Sequence, residues 1–358
     1  MEKQILLLND AKAGHQNQSR ALIKELELIS EPNKSAIKRI QLEFKSRFRE
    51  KFFAFFTLLI YPFLRKKIPL LNKFLAENII NEIYAIKPHI IIAAGSGTVP
   101  LALLLSKINR SKTIALMNPA FPFSIFRFDL AIVPKHDKTI RGKNVLDTIL
   151  ALSPFDNKLI QEEALSLKNK LENPEKVKIG ILIGGNSKNY SFSKENMDIA
   201  LNQISLACDK LNVDFIATTC RRTPKDYEET LKETAKKTGH CQLLVLADKE
   251  IATNMVSAMI GLCKIIIATE ESISMISEPI NAGKKTIILK LRGKIYHKYT
   301  RFHNILLNNK LTNIANFDTL ADKIIEVYKN ASYDLSNQER LILEEEKQAL
   351  RTRLSNLF

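Results

Sequence analysis

Residues 264–289, KIIIATEESISMISEPINAGKKTIIL, constrain the chain most. They read as strand, polar loop, helix and strand. A β-branched run such as KIIIA suits a strand buried on both faces of a parallel sheet, and a parallel sheet needs helices to cross over it. Ser272 is the expected N-cap of a helix running to Ala282, and Gly283 fits the position that ends it. Thr269, Ser272 and Ser274 therefore crowd a helix N-terminus, where free N–H groups and the helix dipole favour an anion such as phosphate. Glu278 lies about one turn further on, where a carboxylate can accept both hydroxyls of a ribose. Pro279 falls inside the helix and predicts a bend. The other reading of this segment is an ordinary, well-capped crossover.

The same alternation recurs along the chain. Strands are expected at 4–8, 35–42, 89–94, 113–117 and 130–133, and again at 177–183, 213–219, 243–246, 264–268 and 286–289. A first helix is expected at about 17–29. The pattern predicts an α/β fold of two doubly wound Rossmann-like domains facing a cleft. The expected division is a first Rossmann-like domain at 1–155 with a basic amphipathic insertion at 43–75, a linker at 156–174, a second Rossmann-like domain at 175–330 and a C-terminal helix at 331–358. Ser336-Asn337-Gln338-Glu339 carries a capping-box pattern at the start of that helix.

The net charge of +16 is concentrated. Residues 34–73 hold eleven Lys and Arg against Glu43 and Glu50, which calls for an anionic partner. Within the insertion at 43–75 lie eight of the eighteen phenylalanines. Its greasy centre, 52–64, is too short to span a bilayer and contains Pro62. One or two helices lying on an anionic membrane surface are expected there, with completion of the domain core as the alternative. A nucleic-acid partner is not expected, because base stacking wants aromatics interleaved along a groove rather than clustered. The four scattered cysteines fit reduced thiols and a cytoplasmic, peripherally membrane-associated protein.

Four strand ends of the second half carry polar loops suited to a diphosphate: Gly184-Gly185-Asn186-Ser187, Cys220–Pro224 with Arg221 and Arg222, the loop near Ala247, and Thr269–Ser274. Glycines let backbone N–H groups approach phosphate, and arginines add bidentate donors. In the first half, His15 closes the first strand-loop, placed to take a proton from an acceptor hydroxyl. The alternative for His15 is a helix cap or a bond to a backbone carbonyl. Lys12 and Gly14, in the same loop, are counted among the substrate-binding residues. There is no Asp-x-Asp pair, His-Glu-x-x-His or Cys-x-x-Cys, so no metal and no cofactor is expected, and a metal-independent use of a nucleotide diphosphate ligand fits best. Gly95-Ser96-Gly97 is followed by Pro100 where a dinucleotide fingerprint wants glycine or alanine.

Five segments resemble, in order, the motifs of the mitochondrial-fission Elm-type family: Asp10-Ala11-Lys12-Ala13-Gly14-His15, Gly184–Tyr190, Thr218–Pro224, Thr269–Glu278 and Arg301-Phe302-His303. The departures are Ala11 for glycine, Cys220 for serine, Glu271 for aspartate and Pro279 for alanine. The resemblance implies a metal-independent glycosyltransferase of the two-Rossmann GT-B class, sometimes labelled an epimerase, in bacterial members. For plant members it implies a fission adaptor that recruits a protein partner to a membrane. The expected function is thus a glycosyltransferase using a nucleotide-sugar donor and a membrane-associated, lipid-linked acceptor. Its alternative is a non-enzymatic membrane adaptor with a protein partner.

Overall fold

The computed structural model describes residues 3–10, 12–29, 35–64, 66–119, 124–186, 190, 193–246, 254–291 and 296–357. The chain divides into two compact units, Met1–Pro154 with Glu345–Phe358, and Phe155–Glu344.

The first unit runs β1 (Lys3–Asn9), α1 (Ala13–Ile29), β2 (Ser35–Gln41), α2 (Arg47–Ile60), α3 (Glu77–Tyr84), β3 (Ile90–Ala94), α4 (Val99–Asn109), β4 (Lys112–Leu116), β5 (Leu130–Pro134) and β6 (Val145–Thr148). Its six strands are all parallel, in the order β2-β1-β3-β4-β5-β6. The central strands are unbroken apolar runs because helices cover both faces; every residue of β3 and β5 is buried. One core layer gathers Leu6, Leu8, Ile91 and Ala93 with α2 and α4. The opposite layer gathers Ile5, Leu7, Ile90 and Ile92 with α1. β6 was absent from the expected strands. Its sequence, VLDT, is short, only partly buried and contains an acid, so it lacks the signal of a buried strand. The first helix starts earlier than expected, which puts Gly14 and His15 in its first turn rather than in a loop.

The second unit runs α5 (Asn157–Lys168), β7 (Lys178–Leu182), α6 (Lys194–Leu211), β8 (Asp214–Thr218), α7 (Lys225–Lys237), β9 (Cys241–Val245), α8 (Met255–Leu262), β10 (Ile265–Thr269), α9 (Ile273–Asn281), β11 (Thr286–Leu289), α10 (His297–Asn308), β12 (Thr312–Ala315) and α11 (Leu320–Lys329). Its sheet is also six parallel strands, in the order β12-β11-β10-β7-β8-β9. α5 lies within residues 156–174 and packs on α8. Its N-cap, Asp156, accepts the Leu159 N–H at 2.8 Å. α9 continues through Pro279 to Asn281.

The last helix, α12 (Asn337–Ser355), opens with the expected capping box. Ser336 Oγ accepts the Glu339 N–H at 3.3 Å, and Glu339 Oε2 accepts the Ser336 N–H at 2.8 Å. Leu350 and Leu354 of this helix join the core layer around Ile5 and Leu7.

α2 presents apolar residues on two faces. Inward, Phe53 is fully buried, with its ring 5.0 Å from Phe74 and 5.7 Å from Phe44. Outward, Phe48, Phe52, Phe55 and Leu59 recur at helical spacing and stand 49–77% exposed; Phe63, in the turn beyond, is 83% exposed. The helix thus completes the core on one face, as the alternative expected, and exposes an apolar stripe on the other. Among the described residues no helix is long and apolar enough to cross a membrane.

The two faces give a direct comparison. Phe53→Ala should destabilise the protein by about 3–5 kcal/mol, the cost of emptying a phenylalanine site in a core. Phe55→Ala should change stability by no more than about 0.5 kcal/mol. Urea unfolding measures both, and equal losses would mean that the outward ring is also a packing element.

Candidate functional site

In the second unit the chain leaves β7 toward β8 and β9, then returns to the other side of β7 as β10. The loops after β7 and β10 therefore diverge over neighbouring strand ends. This is the switch point of a doubly wound sheet, where a crevice opens outside the carboxyl ends. The structure brings residues of three loops together there. Thr269 Oγ1 accepts the Gly184 N–H at 2.9 Å, and Glu271 Oε1 accepts the Gly185 N–H at 2.9 Å. The Gly184 carbonyl accepts from Thr223 Oγ1 at 2.7 Å, and the Asn186 N–H donates to the Arg222 carbonyl at 3.0 Å.

This corrects the expected role of the glycines. Their N–H groups are held inside the protein rather than offered to a phosphate. The glycines are needed for close approach: a Cβ on Gly184 would overlap the Glu271 carboxylate, and one on Gly185 would overlap the Arg222 backbone.

Glu271 is the most constrained acid here. Its side chain is fully buried, and Arg222 Nη2 stands 3.5 Å from its Oε1. Burial pushes the Glu271 carboxyl up to about 7, against the opposing pull of Thr269, Arg222 and the Gly185 N–H. Arg222 is 44% exposed, so the same guanidinium faces solvent. Arg221 is exposed beside it. The pair thus divides, with Arg222 the one tied to the crevice.

Glu270 turns elsewhere. Its Oε1 accepts the Leu291 N–H at 2.7 Å, and its Oε2 is 3.8 Å from His303 Nδ1. Burial raises the Glu270 carboxyl and drives His303 down to about 4, so His303 is neutral near pH 7. His303 Nε2 lies 3.3 Å from the Glu270 carbonyl. The fifth motif therefore supports the loop from behind. Tyr190 and Tyr299 meet edge to face beside it at 5.2 Å.

Ser272 is the N-cap residue of α9, as expected, but its hydroxyl makes no capping bond. Ser274 is half-buried in the first turn, and Glu278 is buried one turn on. Ser187 and the loop near Ala247 lie outside the described residues.

The first unit has its own switch point, between β1 and β3. His15 Nδ1 is 2.7 Å from Asp10 Oδ1, and Lys12 Nζ is 3.1 Å from Asp10 Oδ2. Burial would raise the Asp10 carboxyl, but the bonds and charges of His15 and Lys12 outweigh it and hold it below its usual value. Asp10 thus stays ionised at neutral pH and fixes the imidazole by Nδ1, which leaves Nε2 for a ligand. Gly95, with φ +100°, closes the end of β3 behind this pair; a Cβ there would stand 2.7 Å from both Asp10 Oδ2 and His15 Nδ1. Neither of His15's alternative roles describes its ring, which binds a carboxylate. Asp10 and Gly95 were not among the expected site residues, and Glu271 and Thr223 were expected only as parts of their loops. The signal for Asp10 was an acid five positions before a histidine across a strand–helix turn.

The sequence model of the mitochondrial fission ELM1 family matches residues 13–340. The chain belongs to that family. The uncharacterized protein RP120 of Rickettsia prowazekii (strain Madrid E) is 25% identical over 309 residues, which is 77% of this chain and 83% of the relative. Three solved structures share the fold. A putative UDP-N-acetylglucosamine 2-epimerase from Listeria monocytogenes has a TM-score of 0.56 at 10% identity, covering 95% of this chain and 90% of that one. HepE of Anabaena, in complex with UDP and glucose, gives 0.54 at 11%, covering 99% of each chain. The MnaA–UDP structure of S. aureus gives 0.53 at 11%, covering 99% and 90%. The fold of this family member is thus α/β and GT-B-like, with one six-stranded parallel sheet in each unit.

The packing of Gly184 on Glu271 makes a prediction. Gly184→Ala should cost about 1–3 kcal/mol, as overpacking does, and clearly less when Glu271→Ala has removed the opposing carboxylate. A double-mutant cycle by urea unfolding reads this. Additive losses would place the two residues out of contact.

Proposed function

We propose that this ELM1-family protein is a metal-independent GT-B-type glycosyltransferase. In this reading the second unit binds a nucleotide-sugar, and the first unit binds a membrane-associated acceptor. The observation that carries the reading is the pair of switch-point clusters, one with an arginine beside an uncapped helix start, the other with a carboxylate-oriented histidine. The complexes of two structural neighbours, one with UDP and one with UDP and glucose, support the donor class.

Glu278 holds the ribose hydroxyls. Arg222, assisted by Arg221, Asn186 and Ser187, holds the diphosphate with the Ser272–Ser274 turn, where the dipole of α9 favours an anion. Gly184, Gly185 and Thr269 shape the crevice. His15 Nε2 takes the proton of the acceptor hydroxyl, and Asp10 stabilises the imidazolium that forms. Lys12 and Gly14 line the acceptor side. The acceptor oxygen forms its bond to the anomeric carbon as the bond from that carbon to the diphosphate breaks. The nucleoside diphosphate leaves as an anion neutralised by Arg222 and the helix start.

A lipid-linked acceptor is supported by α2. Its outward stripe of Phe48, Phe52, Phe55 and Leu59 is flanked by exposed Lys51, Lys66 and Lys67, a composition suited to the boundary of an anionic bilayer. The loop between β3 and α4 links this helix to the histidine. Gly95 underlies Asp10 and His15, while a Cβ on Gly97 would stand 2.5 Å from Glu50 of α2. In this reading the protein is cytoplasmic and works at a membrane surface. The second reading, a membrane-associated adaptor with a protein partner, is favoured by the same stripe and needs no donor.

Calorimetry with UDP-, GDP- and ADP-sugars separates the two readings. The enzyme should bind one of them, and Glu278→Ala should weaken that binding by about 1–3 kcal/mol. His15→Ala should slow transfer by roughly 10²-fold with donor affinity unchanged. Binding of none of these donors would leave the adaptor reading.

Co-sedimentation tests the membrane surface. Binding should be stronger to vesicles rich in anionic lipid than to neutral ones, and should fall when Lys51, Lys66 and Lys67 become Glu or Phe52 and Phe55 become Ser. Equal binding to both kinds of vesicle would remove electrostatic docking.

A further inference from the structure

The Glu271 carboxylate divides its two oxygens unequally. Oε1 carries the contacts, the Gly185 N–H at 2.9 Å and Arg222 Nη2 at 3.5 Å. Oε2 is buried and has no hydrogen-bond partner among the described residues. A proton on Oε2 therefore removes the charge without breaking either contact of Oε1. Arg222 connects this buried carboxylate to solvent, so its charge is shared between Glu271 and whatever anion arrives from outside. We propose that diphosphate binding at Arg222 is coupled to proton uptake by Glu271, so that a nucleotide-sugar binds more tightly when Glu271 is protonated.

This rests on the donor-site reading above and adds a regulation to it. An anion drawn to Arg222 comes close to a buried carboxylate in a poorly screened place, and like charges there oppose each other. Reciprocity then requires that protonating the carboxylate favour the anion by the same factor. The other groups around Glu271 do not supply a competing charge switch. Tyr299, from α10, and Tyr190, from the loop after β7, are both pushed above the usual tyrosine value by burial and stay neutral. Glu270, next in the chain, directs its carboxylate to Leu291 and His303. The rise of Glu271 to about 7 puts the uptake in the physiological range. The folded value lies above the ordinary one, so the stability Glu271 contributes is present below about 4.5 and is lost as pH rises through about 7.

Isothermal titration of UDP-glucose, GDP-mannose and ADP-glucose tests the coupling; their diphosphates are esterified at both ends and do not titrate near pH 7. For the tightest binder, titration at pH 7 in two buffers of different ionisation heat should show uptake of a fraction of a proton. Affinity should rise as pH falls from 8 to 6, by no more than about tenfold per pH unit. Glu271→Gln, which keeps the size of the side chain, should abolish the uptake and flatten the pH dependence; its fold is checked by circular dichroism. Glu271→Asp should retain the uptake. Wild-type binding without proton uptake, or equal uptake in the Gln variant, overturns the coupling and leaves the donor-site reading standing. No binding of any of the three at pH 6 or 8 removes both.

Discussion

Two side chains at the end of β10 hold the centre of the second unit. Thr269 and Glu271 each take the N–H of a glycine at the end of β7. Those two strands are neighbours whose following loops run in opposite directions. Parallel pairing brings strand ends together, but it does nothing for the backbone groups beyond the last ladder bond. At a switch point no single crossover covers them. Here they are satisfied across the crevice by a hydroxyl and a carboxylate. The position of Arg222 depends on the same arrangement, since its guanidinium stands against the Glu271 oxygen that binds the Gly185 N–H.

The first unit meets the same problem with different residues. β1 and β3 are the neighbours, and Gly95 makes the close approach. The left-handed backbone at Gly95 lets β3 end behind the Asp10–His15 pair with no side chain in the way. Each unit therefore places a small residue on one strand end and its chemistry-bearing acid on the neighbouring one. In the second unit the acid is buried and its charge is costly. In the first it is partly exposed and its charge is stabilised by His15 and Lys12. Burial raises both carboxyls; it prevails at Glu271, whereas at Asp10 the bonds and charges of His15 and Lys12 outweigh it.

The sheet was legible in the sequence where strands are buried on both faces. IIIAA of β3 and IIIAT of β10 admit little else. It was not legible in β6 and β12, where VLDT and TNIA carry no continuous apolar run and partners in space decide the strand. The site was legible as a set of loops but not as a set of bonds. A glycine pair after a strand reads equally as a cradle for phosphate or as a surface for close packing. The choice depends on Glu271, 86 positions away. Asp10 was visible in the first loop, yet its pairing with His15 required knowing that α1 starts at Ala13 and carries the ring back over the strand end.

α2 violates the usual economy of a surface helix. Phe53 and the buried face around it close the core, and of the outward stripe Phe52 reaches it, with its ring 6.1 Å from Phe74. An exposed apolar patch of this kind is a liability unless something covers it. Its surroundings narrow what the cover can be. A protein interface of ordinary kind is depleted in lysine, whereas this stripe is bordered by Lys51, Lys66 and Lys67, and by a basic window extending to both sides. Such a border suits a surface that is apolar inside and anionic at its edge, as an acidic bilayer is. The helix is also not isolated from the chemistry of its unit. Glu50, on its first turn, packs over Gly97, two residues from the glycine that supports His15. A displacement of α2 would therefore act on the loop behind the histidine through direct contact.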